Sequence, residues 1–403
     1  MYVIIGDMNK YCVAVSGGCD SMTLLDQCIK KGMDIIVAHV NYQKRESAWR
    51  DEEIVRDFCK LHHVPFFVKY CDPKYKGNFQ AYARKFRYEF FKELCETYHC
   101  NSVLVAHHQD DLLETYMMQK QRKSIPFIYG LANKVKHHGV LIERPILYMT
   151  KKECYEYCHE NHIPYGEDES NFTNDYLRNK LRNEVISSWD IEKRLEVLNE
   201  IKKLNEDKKE YQNMIQNIVN ELGDDILIEK FKKIKYPCDV LRMWLNHHNV
   251  GYDISDRRLQ KICDTILLDK SNYQFEIDNV KLMKSYDVVQ IVEDIKYSYT
   301  FDTIDEFECK FFKISKVGSS VEAVTLFESD FPITIRSPKP NDAIELRFGT
   351  KKINRFFIDR KITHKERKTY PIVLNCSGKV ILVPKIGCDV KHYTVQPNCF
   401  VLK

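Results

Sequence analysis

No C-x-x-C pair occurs among the 15 cysteines of this 403-residue chain, and the closest spacings are Cys154/Cys158 and Cys95/Cys100. Paired-cysteine metal binding is therefore not expected. The opening residues, "MYVIIGDMNKYC", have neither a basic start nor a long apolar core, so they do not read as a secretory leader. Scattered thiols without a leader suit a reducing, cytoplasmic setting. No apolar run approaches the roughly 18–20 residues that a helical membrane crossing needs, so no membrane partner is expected. Internal repeats and low-complexity tracts are missing too, and nothing announces a protein partner.

What is present is length enough for two or three domains, with hydrophobic residues at 44%, sufficient for real cores. The net charge of +4 conceals an asymmetry. Residues 331–403 hold 15 Lys and Arg against 5 Asp and Glu, a net of +10 that leaves −6 for the rest. A basic end on a slightly acidic body is the pattern of a protein that grips a polyanion. A merely solvated basic face would read the same way.

Strand patterns at Tyr11–Val15, Asp34–Val40, Val64–Tyr70, Ser102–Ala106 and Val140–Leu147 alternate with longer helical stretches. In one of these, Phe79, Tyr82, Phe86, Phe90 and Leu94 recur at helical steps, which predicts one buried face. Such alternation predicts an α/β fold, a doubly wound parallel sheet with its ligand at the carboxyl ends of the strands. Residues 191–222 read as one long charged helix with Leu195, Leu198, Ile201 and Leu204 at core spacing, and Ser255 reads as the cap of another. The chain then turns β-rich. The division expected is an α/β domain over 1–188, a mainly helical connector with a β appendage over 189–328, and a small mixed α/β C-terminal domain over 329–403.

Three clusters carry chemistry. In "VAVSGGCDSM", residues 13–22, Gly17 and Gly18 let the backbone close on an anion, and Ser16 and Ser21 add hydroxyl donors at the start of a helix. The loop lacks the lysine of common phosphate loops. It also holds Asp20, which would repel phosphate unless it works on a metal ion or on the atom being activated. In "VAHHQDDLLETYM", residues 105–117, His107, His108, Asp110, Asp111 and Glu114 gather at a strand end. Such acids suit Mg2+ shared with a nucleotide, although a helix dipole alone also favours acids there. In "EDESNFTNDYLRNKLRN", residues 167–183, Arg178 and Arg182 lie one helical turn apart, fit for phosphate or for a solvated helix.

"SGGCDS" resembles the S-G-G-x-D-S loop of the PP-loop ATP pyrophosphatases, and "HHQDDLLET" resembles the H-H-x-D-D-x-x-E-T segment of those that modify tRNA. "FQAYARKFRYEFF" and "EDESNFTNDYLRNKLR" are similar to the tRNA(Ile)-lysidine synthetase family, as residues 351–387 are to that family's C-terminal tRNA-binding module. The resemblance implies three substrates: ATP, free L-lysine and isoleucine tRNA with a CAU anticodon, whose wobble cytidine is adenylated and then attacked by lysine. It implies that Ser16, Gly17, Gly18, Cys19, Asp20 and Ser21 hold ATP, and that Asp20, His107, Asp110 and Asp111 are catalytic, with Asp20 and Asp111 on Mg2+. It implies Glu114 for the lysine ammonium. Arg84, Arg87, Arg178 and Arg182, with Lys351, Lys352, Arg355 and Arg360 of the basic module, are implied for tRNA or phosphate.

The chain departs from the family in two places. Where members often read H-V-N-H-G-L-R, it has Tyr42, Gln43 and Lys44 in the variable trio, and a usually glycine-rich segment keeps mainly Gly130. A tRNA thiolase of the same superfamily and a non-catalytic nucleotide- or tRNA-binding protein stay open as alternatives. The acids Asp20, Asp111 and Glu114 argue against the latter, because simple binding does not need such charges together.

Overall fold

The computed structural model describes residues 9–75, 77–122, 126–167, 181–268, 273–347 and 349–403. The chain divides into two compact units, Met1–Gln216 with Leu245–Tyr252, and Asn217–Trp244 with Asp253–Lys403.

In the first unit, β1 (Lys10–Ala14), β2 (Asp34–Asn41), β3 (Phe66–Tyr70), β4 (Ser102–Val105), β5 (Lys134–His137) and β6 (Val140–Glu143) form one sheet in the order β3-β2-β1-β4-β6-β5. Every neighbouring pair is parallel except the β5–β6 hairpin. Its two turn residues, His138 and Gly139, both have positive φ, as a tight hairpin turn requires. The helices are α1 (Cys19–Lys30), α2 (Ser47–Leu61), α3 (Phe79–Tyr98), α4 (Gln109–Gln121) and α5 (Lys151–Glu160).

Strand periodicity decides which helices cover which face. Val13, Ile35, Val37 and Leu104 point to a core shared with Leu24 and Leu25 of α1, Val55 and Phe58 of α2, and Cys154 and Cys158 of α5. The alternate residues Cys12, Ile36, Ala38, Val103 and Val105 meet Tyr88, Phe90, Phe91 and Leu94 of α3. The sheet is thus wound on both faces, as expected, with an antiparallel edge strand that was not.

Two helices differ from expectation. In α3 the buried residues are Ala83, Tyr88, Phe90, Phe91, Leu94 and Cys95. Phe79, Tyr82 and Phe86 are only half-buried; the Tyr82 ring stacks on Tyr75 with centroids 4.0 Å apart. The long charged segment forms two helices, Ile191–Asp207 and Lys209–Leu222. The first buries Val197 and Ile201 against Leu113 and Tyr116 of α4, while Leu195 is exposed.

The second unit begins with an antiparallel sheet of strands Ile226–Leu227, Val288–Val292, Val280–Ser285 and Gln274–Ile277. Helix Asp256–Leu267, capped by Ser255 as expected, buries Leu259, Ile262, Cys263 and Ile266. Two further sheets, of seven and four strands, follow with helices Ile353–Asp359 and His364–Thr369. Their cores are built around Ile335, Val373, Ile381 and Val401, and around Ile344, Phe357, Tyr370 and Ile372. A buried triad ties the last segment to this frame. His392 meets Asp389 at 2.7 Å through Nδ1 and Asp330 at 3.1 Å through Nε2.

Candidate active site

The chain leaves β1 toward β2 and β3 on one side and returns to place β4 on the other. The loops that follow β1 and β4 therefore meet at the carboxyl ends of adjacent parallel strands, where open α/β sheets bind ligands. Both motif loops are there.

The glycine loop is shaped by what surrounds it. Gly17 has φ +94°, and a Cβ there would lie 2.8 Å from Asp51 Cβ and 2.9 Å from Asp51 O, so no other residue fits without displacement. The backbone N–H groups of Ser16 and Gly17 both donate to Ser21 Oγ at 3.2 Å, and that hydroxyl donates to Gly18 O at 2.8 Å. Both amides thus converge on the Ser21 hydroxyl, which closes the loop on itself. The Cys19 side chain turns away and is buried, its Sγ 3.7 Å from Cys158 Sγ. Only its backbone is left for a ligand.

His108 caps α4, and Asp111 Oδ2 accepts from the His108 N–H at 3.0 Å. The buried His108 ring brings Asp20 and Asp111 together, with Nε2 3.6 Å from Asp20 Oδ2 and 3.5 Å from Asp111 Oδ2. Asp20 Oδ1 is buried and accepts no hydrogen bond. Two carboxylates flank the His108 ring, and one keeps an unmet buried oxygen; oxygen donors of this kind suit a hard divalent cation such as Mg2+. Glu114, one turn further along α4, is buried.

Asp110 is separated from this pair. Its carboxylate accepts from Arg194 Nη1 at 2.5 Å, and Arg194 also donates to Gln109 and to Ile186 O, so Asp110 ties helix Ile191–Asp207 to α4. His107 lines the cavity described next and accepts through Nδ1 from Arg144 Nε at 3.1 Å. Burial, opposed by Asp111, pushes the His107 pKa down to about 4. Because Arg only donates, neutral His107 carries its proton on Nε2.

Two adjoining hollows flank the loop. One, of about 240 Å3, is lined by Ser16, Asp20, Arg84, Arg87, Tyr88 and His107. The other, of about 570 Å3, shares Ser16, Tyr42 and Arg87 and adds His39, Lys44 and Phe79. Arg84 and Arg87 thus face the phosphate loop. A further hollow of about 640 Å3, bounded by Lys30, Ile54, Phe58 and Leu61 among others, contains none of the motif residues.

The variable trio after β2 is held by its neighbours. Asn41 donates to Glu52 Oε2 at 2.8 Å and accepts from the Gln43 N–H at 2.9 Å. Gln43 adopts φ +53° and donates to Cys71 O at 3.0 Å, while Lys44 Nζ sits 3.3 Å from the Phe79 ring centroid.

Sequence reading missed three side chains. Lys151 Nζ lies 2.7 Å from Asp20 Oδ2, Arg144 orients His107, and Arg194 pairs with Asp110. Arg178 and the Arg182 side chain lie outside the described residues. In the second unit, Lys352 and Arg355 are exposed. Lys351 is paired with Asp359 at 2.7 Å, and Arg360 donates to the carbonyls of Lys385 and Ile386.

Residues 5–189 match the PP-loop domain family. Over 407 residues the chain is 31% identical to the tRNA(Ile)-lysidine synthase of Mycoplasma mycoides subsp. mycoides SC, covering 96% of this chain and 99% of that one. It is 30% identical over 392 residues to the enzyme of the same name from Mesoplasma florum, covering 93% and 96%. For that of Bacillus subtilis the identity is 28% over 433 residues, covering 96% and 91%. With such identity running nearly end to end, the chain belongs to the tRNA(Ile)-lysidine synthase family.

Proposed function

We propose that this chain joins free L-lysine to C2 of the wobble cytidine of isoleucine tRNA with a CAU anticodon, in the cytoplasm, converting ATP to AMP and pyrophosphate. The observation that carries the reading is the meeting of Asp20 and Asp111 beside the glycine loop at the sheet's switch point.

The cytidine C2 oxygen is a poor leaving group until it is adenylated. It attacks the α-phosphate, the bond to the β-phosphate breaks, and pyrophosphate leaves. Ser16, Gly17, Gly18 and Ser21, with the backbone of Cys19, hold the departing pyrophosphate, where negative charge develops. Asp20 and Asp111 would hold Mg2+, which when bound offsets charge on the phosphates. Arg84 and Arg87 add fixed positive charge to the same hollow.

The lysine ε-amine then attacks C2, and AMP leaves with the former C2 oxygen. Glu114 holds the incoming ammonium, and a carboxylate of the site takes its proton before attack. His107 offers an Nε2–H that stays neutral through physiological pH, because its pKa is about 4. Asp110 serves the reaction by holding α4 in place. The base must leave its stack to reach these groups.

Residues 1–188 carry the chemistry and residues 329–403 grip a distant part of the tRNA through phosphates, with 189–328 between them. Lys352 and Arg355 are exposed contacts, while Lys351 is held by Asp359 and the exposed Arg360 by the carbonyls of Lys385 and Ile386. Arg178 and Arg182 serve the tRNA backbone or the α-phosphate.

The test is incubation with this tRNA, ATP and labelled lysine. Label on the tRNA and one AMP per lysine are expected; no label, or ADP in place of AMP, overturns the reading. Incorporation of sulfur in place of lysine would favour a thiolase. Asp20→Asn is expected to abolish AMP release nearly completely.

A further inference from the structure

The phosphate loop, residues 16–21, has no lysine of its own, yet the fold delivers one. Lys151 is the first residue of α5, where Thr150 and Glu153 form a reciprocal cap with bonds of 2.6, 2.8 and 3.1 Å that fix the first turn. α5 lies against α1, with Thr23 Oγ1 donating to Cys154 O at 3.2 Å and Cys158 Sγ to Cys19 O at 3.5 Å. The two helix beginnings are thereby held side by side. Lys151 Nζ reaches to 2.7 Å from Asp20 Oδ2, with 27% and 22% of the two side chains exposed.

A purely structural role explains this pair poorly. Asp20 sits in the first turn of α1, where the helix dipole already favours a carboxylate. Its other oxygen is buried without a hydrogen bond, which a group placed for stability would not leave unmet. A flexible, compact cation beside a glycine-rich loop at a helix start can exchange one anion for another.

We propose that Lys151 is the phosphate loop's missing lysine, supplied from α5. It rests on Asp20 when no nucleotide is present and moves to the β- and γ-phosphates when ATP enters. There it holds pyrophosphate as the bond to the α-phosphate breaks. Its departure releases the Asp20 carboxylate for its own task. This rests on the reading that the loop takes the pyrophosphate end of ATP.

The experiment compares full-length wild type, Lys151→Met and Lys151→Arg for AMP release against ATP concentration, and for pyrophosphate binding by calorimetry. Lys151→Met is expected to raise KM for ATP and weaken pyrophosphate binding about 10- to 100-fold, the range of charge-assisted hydrogen bonds. Lys151→Arg should restore most of both, with unchanged thermal unfolding. Wild-type KM and pyrophosphate affinity in Lys151→Met would overturn the proposal. So would full recovery of pyrophosphate binding in the Asp20→Asn/Lys151→Met double variant, because Lys151 would then only neutralise Asp20. Pyrophosphate binding needs no tRNA or lysine, so a wild type that binds it but transfers no lysine would sink the functional reading and leave Lys151 tested.

Discussion

Asp110→Asn removes one charge from an ion pair nearly out of water: the side chains of Arg194 and Asp110 are 16% and 10% exposed. Removing one partner of a buried pair generally destabilises by about 3–5 kcal/mol. Here Asn keeps an acceptor, and Arg194 keeps Gln109 Oε1 and Ile186 O, each at 3.1 Å. The expected loss is therefore smaller, about 2–3 kcal/mol. At about 2–4 °C per kcal/mol for a unit of this size, thermal unfolding of the first unit should shift down by about 4–12 °C. Lysine transfer assayed well below that midpoint should fall less than tenfold. Asp111→Asn should do the reverse, keeping the midpoint and losing the reaction. An unchanged midpoint in Asp110→Asn with a hundredfold loss of AMP release would refute the anchoring role and return Asp110 to the chemistry.

Gly17→Ala must place a Cβ 2.8 Å from Asp51 at φ +94°; unaltered ATP affinity by calorimetry would contradict the tight fit. In the second unit, burial works to raise the Asp330 and Asp389 pKa values. For Asp330 the Phe327 N–H and His392 outweigh burial, and for Asp389 Lys379 and His392 do, so both end below the ordinary value. Depressed folded pKa values mean that this stability is present above about pH 4 and drains as pH falls through the folded values. His392→Gln should therefore move acid unfolding of the second unit to higher pH, and an unmoved transition would count against the triad. Lys352→Gln with Arg355→Gln should weaken tRNA binding and flatten its dependence on log salt by about 1.5. An unchanged slope would place the phosphate contacts elsewhere.

β1, β2 and β4 were legible within about a residue at each end because their alternation serves two buried faces. β5 was not, because "KVKH" lies at the sheet edge, where lysines guard against pairing with another chain and hide the strand pattern. Both motif loops were legible because their chemistry is local. Which acid of "HHQDD" faces Asp20 depends on where α4 starts. With His108 as the cap, Asp111 reaches back to the cap and Asp110 points toward Arg194. Lys151 and Arg194 reach the site from distant helices of ordinary composition. Arg144 did leave a trace, as one of two adjacent charges, with Glu143, inside the otherwise apolar run "LIERPIL".

Where family members often place glycine, Gln43 accepts a left-handed backbone that is unfavourable by roughly 1–2 kcal/mol for a residue with a Cβ. Hydrogen bonds to Asn41 and Cys71 offset that strain. What holds this bend is therefore a set of hydrogen bonds from its neighbours rather than a glycine. With the path secured from outside, Tyr42 and Lys44 on either side can change the lining of the larger hollow without rerouting the chain.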